Sequence, residues 1–340
     1  ERAAAKLDWM NRVESALSDD SNGIKTALTK LYTTADQLTA DPSNPTLRAQ
    51  FLQAASDIAA GFQTAANRLN SLSEGRFALG LAKGVAQYWK MMGLPHPTFE
   101  RERAFIDLMR RLWKGERILG YEGKLGQFGL LSVAEYLDED IPILYVGFGP
   151  KSLEHAGQIY DGAHLHTFMS DQALSNAVDS IRAGEKAADR KPGTVKVWSV
   201  FATACDVSEE VYLKVIIARL ATYLQIPGYG EMLVNINGWD PEVLKAFRAS
   251  TAVKSVGGMI DSVATTQQMA EVEKVIPEEW RPAAVGNARQ CAERWVDQFN
   301  AGADGIIIHA STPEEFEPVL REYEKIRPTE LFAGRSNRPG

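Results

Sequence analysis

Within NRLNSLSEGRFALGLAKG, residues 67–84, the chain changes from one periodicity to another, and that change constrains the fold more than any other feature. Up to about residue 74 the pattern is helical only. Ile24, Ala27, Leu28, Leu31, Ala35 and Leu38 recur at intervals of three and four, which puts them on one helical face; Leu47, Phe51, Ala55, Ile58, Phe62, Ala65 and Leu69 form a second stripe. Between them lies DPSNP, where Pro42 and Pro45 end the first helix, Asn44 is placed to cap the second, and Pro45 suits its first turn. The spacing predicts an antiparallel helical hairpin, to which Ala4, Leu7, Met10, Val13 and Leu17 would add a third helix and so complete a small bundle.

After Gly75 strand-like and helix-like runs alternate. RFALGLAKG, IPILYVGFG, GAHLHTFMS, TVKVWSVFATAC and GADGIIIHAS are short β-prone runs, each followed by helical periodicity. Apolar strands separated by amphipathic helices predict parallel βαβ units, because helices then cover both faces of the sheet. In PTFERERAFIDLMRRLWKGE the side chains of Ala104, Ile106, Leu108, Met109 and Leu112 face inward, Arg101, Glu102, Arg110 and Arg111 face solvent, and Gly115 follows the C-terminal end. Residues 206–301 show helices broken at Pro227-Gly228, Gly257-Gly258 and Pro277 and no strand pattern, so they read as a helical insertion before the last strand. The domains expected are therefore 1–74, helical, and 75–330, α/β, followed by a flexible tail over 331–340.

With 340 residues and 45% hydrophobic composition the chain can bury a substantial core. Its charge, 37 basic minus 44 acidic or −7, is spread without long single-sign blocks, which argues against a nucleic-acid or membrane-surface partner and for a small molecule or a protein. No apolar run approaches the ~20 residues of a membrane-spanning helix, and ERAAAKLDWM lacks the apolar core of a secretory signal. Cys205 and Cys291 could form one disulfide; two cysteines in a chain this long favour buried thiols of a reducing compartment. The absence of GxxxxGK[ST], HExxH and a nucleophile elbow removes the simplest support for an NTPase, a zinc protease or an α/β-hydrolase.

Two resemblances follow the two patterns. ALTKLYTTADQLTADPSNPTLRAQFLQAASDIAAGFQTAANRLNSLSEG, through Leu38, Pro42, Asn44, Pro45, Arg48, Phe62 and NRLNSL, resembles the N-terminal helical region of the flagellar hook-associated protein of the hook–filament junction. That likeness implies helical protein partners for residues 1–74 and an exported flagellar structure. Gly-Arg-Phe-x-Leu-Gly-Leu at 75–81, Met-Gly-Leu-Pro at 92–95, IDLMRRLWKGE at 106–116 and IPILYVGFGPKSLEHAGQIYDGAHLH at 141–166 together resemble the luciferase-like monooxygenase superfamily, up to about Pro328. This resemblance implies an oxidoreductase of the (β/α)8 TIM-type barrel fold using FMN or the deazaflavin coenzyme F-420 on a small organic substrate in the cytoplasm; ALGLAKGVAQYWKMMGLP is similar to the deazaflavin-using branch. Aligned to that family, the strands here are the fourth to the eighth. The barrel is then incomplete, and the residues that strands one to three carry, commonly including a catalytic acid or base, have no counterpart. Three functional readings follow: a (deaza)flavin-dependent oxidoreductase module impaired by the missing strands, a structural hook–filament protein, or a chimera with no evolved joint function. Open sheet edges predict a homo-oligomer, cover by the N-terminal helices, or else aggregation.

The candidate site residues lie at strand ends. Gly147, Gly149, Pro150, Lys151 and Ser152 stand where a strand meets a helix, so free N–H groups and the positive end of the helix dipole could take a phosphate; a tight turn accounts equally for two glycines, and the resemblance favours the phosphate loop of the cofactor. Gly80, Ala82, Lys83 and Gly84 end the preceding strand, where small residues would let a flat ring lie close; a plain strand exit reads the same way. His164 and His166 share a strand face and His309 ends the last strand, but no carboxylate stands at ligand spacing, so no metal site is predicted. His164, His166, Trp89 and Trp198 are candidates for a substrate or cofactor pocket, Trp113 and Trp295 for core or interface, and His96 and His155 for peripheral positions; no catalytic residue is assigned.

Overall fold

The computed structural model describes residues 24–41, 43–73, 77–84, 89–90, 93, 96–133 and 140–333. They form two compact units, one comprising the chain up to Leu79 with Lys83–Pro142, the other Gly80–Ala82 with Ile143 onward. The predicted helix over residues 4–17 lies outside the described residues.

In the first unit α1 (Ile24–Ala40) and α2 (Pro45–Ser73) are joined by a turn in which the Asn44 side chain accepts hydrogen bonds from the amides of Thr46, at 3.0 Å, and Leu47, at 3.2 Å. The chain reverses there, bringing Lys30 Nζ 3.3 Å from the Asp57 carboxylate, with Thr34 and Ala54 buried. In α3 (Phe99–Trp113) the Thr98 hydroxyl caps the first turn, Glu100 and Glu102 stand at the positive end of the dipole and Arg110 and Arg111 at the negative end, and Gly115 takes a left-handed φ of +78° just past the helix. Ile106, Leu108 and Leu112 face inward. Glu102, expected in solvent, is buried instead, because Lys83 Nζ approaches its carboxylate to 3.7 Å.

An antiparallel hairpin absent from the sequence reading follows, β2 (Ile118–Gly123) with β3 (Gly126–Leu131), in register Ile118 to Leu131. It packs Ile118 against Leu108 and Leu112. Its signal is visible in retrospect: ILGYEG and GQFGLL flank a Lys-Leu pair, and Gly126 supplies the φ of +128° that the reversal needs.

The second unit is built on a six-stranded sheet. β1 (Leu79–Leu81), β4 (Ile143–Val146), β5 (Gly162–His164) and β6 (Lys196–Cys205) are neighbours in that order; the far edge of β6 takes both β7 (Ala284–Gly286) and β8 (Gly305–His309). The pairings from β4 onward are parallel. The path of paired strands does not return on itself among the described residues. β7 corrects the reading of 206–301 as purely helical: three residues, AVG, are too short to show a period, and their pairing with Thr203–Cys205 is what makes them a strand.

Alternation along β6 divides its two faces. Phe201 and Cys205 join Ala284, Cys291, Ala292, Trp295 and Val319 in a core beneath α13 (Ala288–Asn300) and α14 (Pro313–Ile326), with Trp295 Nε1 donating to Thr203 Oγ1 at 3.0 Å. Cys205 and Cys291 are both free and buried. Ala202 and Ala204 face the other way, into a second apolar core with Leu213, Ile216, Leu224, Phe247 and Trp280 from the helical segment 209–280. Thr329–Phe332 is a 3-10 turn and Phe332 packs on Phe299 with ring centroids 5.0 Å apart, so Leu331 and Phe332 are not part of the flexible tail expected over 331–340; residues 334–340 lie outside the described residues.

Candidate functional site

β4 ends at Val146, and Gly147–Gly149 lead into α4 (Pro150–Ile159). Gly149 is the N-cap and has no side chain to offer, Pro150 has no N–H, and the first amide to bond within the helix is that of Leu153, to the Gly149 carbonyl at 2.9 Å. The amides of Lys151 and Ser152 therefore stand at the positive end of the helix dipole, with the Lys151 side chain exposed beside them. Gly147 donates to the His164 carbonyl at 3.1 Å, which ties the loop to β5. The two glycines have different reasons. A Cβ on Gly147 would stand 2.7 Å from the Tyr145 hydroxyl, so its own strand demands glycine there; a Cβ on Gly149 would meet only Ser152 Oγ, at 3.9 Å.

Register places Val146, His164 and Trp198 side by side across three strands, with Gly305 beyond Trp198. The indole lies over that glycine, whose Cβ would fall 2.4 Å from Cζ3. Trp198 Nε1 is buried and meets no hydrogen-bond acceptor among the described residues. An orphaned donor of this kind is costly unless a ligand satisfies it. Gly80 adjoins the same row: a Cβ there would lie 3.1 Å from Val146 Cγ2. Burial lowers the pKa of His164.

His166, expected on the same strand as His164, instead lies two residues past the end of β5, because the strand stops at His164; there it is enclosed by aromatic rings, Phe148 and Tyr223 each at 4.8 Å and Tyr229 at 5.4 Å between centroids. Its Nδ1 lies 2.7 Å from the Thr167 carbonyl and its Nε2 2.5 Å from the Tyr229 hydroxyl. A carbonyl only accepts, so Nδ1 carries the proton and the Nε2 lone pair receives the phenolic O–H. Burial lowers the His166 pKa to about 4, keeping the ring neutral, and burial raises that of the Tyr229 phenol. Tyr223 stacks on Tyr229 at 5.3 Å and carries the Arg219 guanidinium 4.8 Å from its ring; Arg219 Nη1 donates to Asp261 at 2.6 Å. Thr167 Oγ1 lies 3.3 Å from His309 Nδ1.

The backbone around this cluster is unusual. Phe168 and Ala310 have φ of +61° and +69°, conformations that disfavour residues with a Cβ; Asn237 holds the first by accepting from the Ser170 amide and donating to the Phe168 carbonyl. Leu213–Ala218, directly before Arg219, is a π-helical turn.

Of the residues predicted from sequence, Gly80, Ala82, Gly147, Gly149, Pro150, Lys151, Ser152, His164, His166 and Trp198 belong to this unit. Lys83, Gly84 and Trp89 belong to the other. There Lys83 sits 3.6 Å above the Phe99 ring and faces Glu102, its pKa lowered by burial, and Trp89 Nε1 donates to the Lys83 carbonyl. His155, expected at the periphery, is buried; His96 is exposed. Tyr229, Tyr223 and Arg219 escaped the sequence reading, and Phe148 entered it only as part of the loop, because Tyr229 is 63 residues from the histidine it bonds; the break at Pro227-Gly228, which starts a helix at Tyr229, was the one local signal. Among the described residues no group of His, Cys, Asp and Glu side chains is arranged to hold a metal ion, and no helix is long and apolar enough to cross a membrane.

The chain belongs to the luciferase-like monooxygenase family, whose model it matches over residues 61–305. The model of the flagellar hook-associated protein FlgK helical domain matches residues 10–76. A 5,10-methylenetetrahydromethanopterin reductase of Methanolobus tindarius is 27% identical over 203 residues, 59% of this chain and 60% of that protein, so the chain spans about 60% of that relative's length. The coenzyme F-420 dependent tetrahydromethanopterin reductase from Methanopyrus kandleri superposes with a TM-score of 0.58 at 18% identity, covering 79% of this chain and 77% of the other. The shared fold is α/β with a mostly parallel sheet, in line with the TIM-type barrel of the family.

Proposed function

We propose that residues 75–330 are a luciferase-like oxidoreductase module that binds coenzyme F-420 or FMN and acts by hydride transfer or monooxygenation on a small organic substrate. The observation that carries this reading is the orphaned Trp198 Nε1 in the Val146–His164–Trp198 row, next to a loop whose free amides suit a phosphate. The F-420 dependence that the name of the Methanopyrus kandleri reductase states supports the deazaflavin. Lys151, Ser152 and the backbone of Gly147–Gly149 would hold the phosphate, Gly80 and Ala82 would let the ring approach, and His164, His166 and Trp198 would line the pocket. The cofactor, when bound, supplies the hydride or the activated oxygen. The chain's own contribution is orientation: amides and Lys151 neutralise the phosphate charge, and the half-buried row keeps water from the ring. β1, β4, β5, β6 and β8 read as barrel strands four to eight, and in sequence order the N-terminal helices α1 and α2 occupy the part of the chain where the first three would be; turnover is impaired to that extent and no catalytic acid or base is assigned. A homo-oligomer that covers the open sheet edges, working in the cytoplasm, completes the proposal.

Titration of the purified protein with FMN and with F-420 tests it. A shifted absorption band with either is the expected result, and no binding of either at saturating concentration overturns it.

The FlgK helical-domain match over 10–76 favours a second reading, in which two unrelated families meet at residues 73–75, in a chimera or in a structural hook–filament protein. Co-sedimentation with hook and filament proteins that Leu31→Asp abolishes would support the structural role, and indifference to that change would refute it. The genomic DNA across residues 73–75 shows directly whether two genes were joined.

A further inference from the structure

We propose that Tyr229 and His166 are a positioning pair that holds the Gly147–Ser152 loop in its anion-binding shape through the ring of Phe148. The inference rests on the phosphate-loop reading given above for what the loop finally binds. It does not rest on it for the loop's order.

Phe148 lies between the two glycines of the loop, and its buried side chain is the loop's anchor. Its ring stands 4.8 Å from His166 and 5.8 Å from Tyr229. Gly147 and Gly149 restrict the backbone on either side of Phe148 less than other residues would, so the loop's place depends on its attachments, and this ring is one of them. Two attachments hold the loop to β5 and the residues just after it: the Gly147 amide on the His164 carbonyl, and the Phe148 ring on the His166 imidazole. The imidazole is itself fixed at both nitrogens, by the Thr167 carbonyl and by the Tyr229 hydroxyl. Removing the Tyr229 hydroxyl frees one side of the imidazole and loosens the surface on which Phe148 rests.

Tyr229 is also the first residue of α8 (Tyr229–Asn237), entered through Gly228 at φ +80°. The pair thus clips the helical segment 209–280 to the exit of β5, and the stack of Tyr229 on Tyr223 and of Tyr223 beneath Arg219 supports the phenol from behind. The strained Phe168 lies two residues beyond His166, where the surrounding structure must hold an unfavourable backbone in place. Nothing in the hydrophobic packing requires a hydroxyl at 229 or a ring nitrogen at 166. Phe and Leu would fill the same space, so the polar bond serves geometry.

Three variants test the pair: Tyr229→Phe removes the hydroxyl and keeps the ring, His166→Leu removes both nitrogens, and His166→Gln keeps one acceptor for Tyr229 and one donor for Thr167. The first readout is amide hydrogen exchange at Gly147 and Leu153, whose amides bond the His164 and Gly149 carbonyls at either end of the loop, in the protein without cofactor. Exchange should quicken roughly five- to tenfold in Tyr229→Phe and His166→Leu, the range one hydrogen bond spans, and stay near the wild-type rate in His166→Gln. The second is the dissociation constant for FMN and F-420, expected to weaken by a similar factor in the same two variants while melting temperatures stay close to wild type. A third is the nitrogen-15 spectrum of His166, in which the resonance of Nε2 should move in Tyr229→Phe while Nδ1 stays protonated.

Unchanged loop exchange in both Tyr229→Phe and His166→Leu overturns the inference, as does His166→Gln behaving like His166→Leu, since ring packing would then be responsible. If exchange responds as expected but the wild type binds neither cofactor, the pair stands and the proposed function falls. If the wild type binds a cofactor and the variants bind it equally well with altered exchange, the pair orders the loop without positioning the ligand, and the inference fails.

Discussion

Gly184→Ala gives the sharpest test of how the loop-bearing helix is seated. α4 and α5 (Asp171–Ala187) cross where Gly157 faces Gly184. A Cβ added to Gly184 would stand 1.9 Å from the Glu154 carbonyl oxygen, and one on Gly157 would stand 2.2 Å from that of Ile181. Ordinary contact begins near 3.4 Å, so relief at Gly184 needs 3.4 − 1.9 = 1.5 Å of separation between the helices. The opposing atom is a backbone carbonyl inside a helix and cannot rotate away. Alanine gains up to ~1 kcal/mol over glycine in a helix interior, while overpacking of this kind costs ~1–3 kcal/mol, to which opening the contacts of buried Leu153, Leu174 and Ile181 adds more. The net loss should be about 1–3 kcal/mol, or a fall in Tm of roughly 2–10 °C for a unit of this size. Calorimetry or urea unfolding measures it. Gly257→Ala is the control, because a Cβ there meets nothing within 4 Å, and it should change little. A Gly184→Ala protein as stable as the wild type would refute the reasoning.

Other perturbations follow from the same geometry. Glu185 is fully buried and accepts from the amides of Gly193 at 3.0 Å and Val195 at 2.6 Å and from Arg182; Glu185→Ala strands the two amides and should cost about 2–5 kcal/mol in denaturant unfolding, with a loss below 1 kcal/mol counting against it. His166, lowered from 6.5 to about 4 by burial, stays neutral in the fold while the unfolded chain takes up a proton, so stability is full above pH 6.5 and falls as pH drops towards 4. The drop from this group is about 3 kcal/mol at most, and His164 and His309, both also lowered by burial, act in the same direction. Unfolding measured from pH 7 to 4 should show a flatter profile in His166→Gln; an identical slope would show that other groups carry the dependence. Trp198→Phe removes a buried donor without a partner, so the cofactor-free protein should keep or gain stability while binding of FMN or F-420 weakens; a clear loss of stability would show that the donor is already satisfied.

Patterns that depend on neighbours in the chain were legible in the residues alone. The stripe through Ile106, Leu108 and Leu112, the Asn44 cap, the glycine after α3 and the alternation of strands with helices each follow from periodicity or from one residue's backbone preference. The loop at Gly147–Ser152 was legible for the same reason, since a strand, two glycines, a proline and a helix stand in sequence order. What escaped depended on partners far along the chain. Glu102 is polar and its place in the helical pattern predicts solvent, whereas its burial depends on Lys83, 19 positions earlier in the chain. β7 is a strand because Thr203–Cys205 pairs with it, and no three residues announce that.

The aromatic cluster shows the division most plainly. His166 was a candidate from its expected place on a strand, but its position past the end of β5, its neutral state, its tautomer and its bond to Tyr229 are properties of the fold, of burial and of a contact made across 63 residues. Local interactions write themselves into the order of residues, because backbone preference and periodicity act over a few positions. The chemistry of a side chain depends on the charge, water and hydrogen-bonding groups around it, and folding alone brings those together.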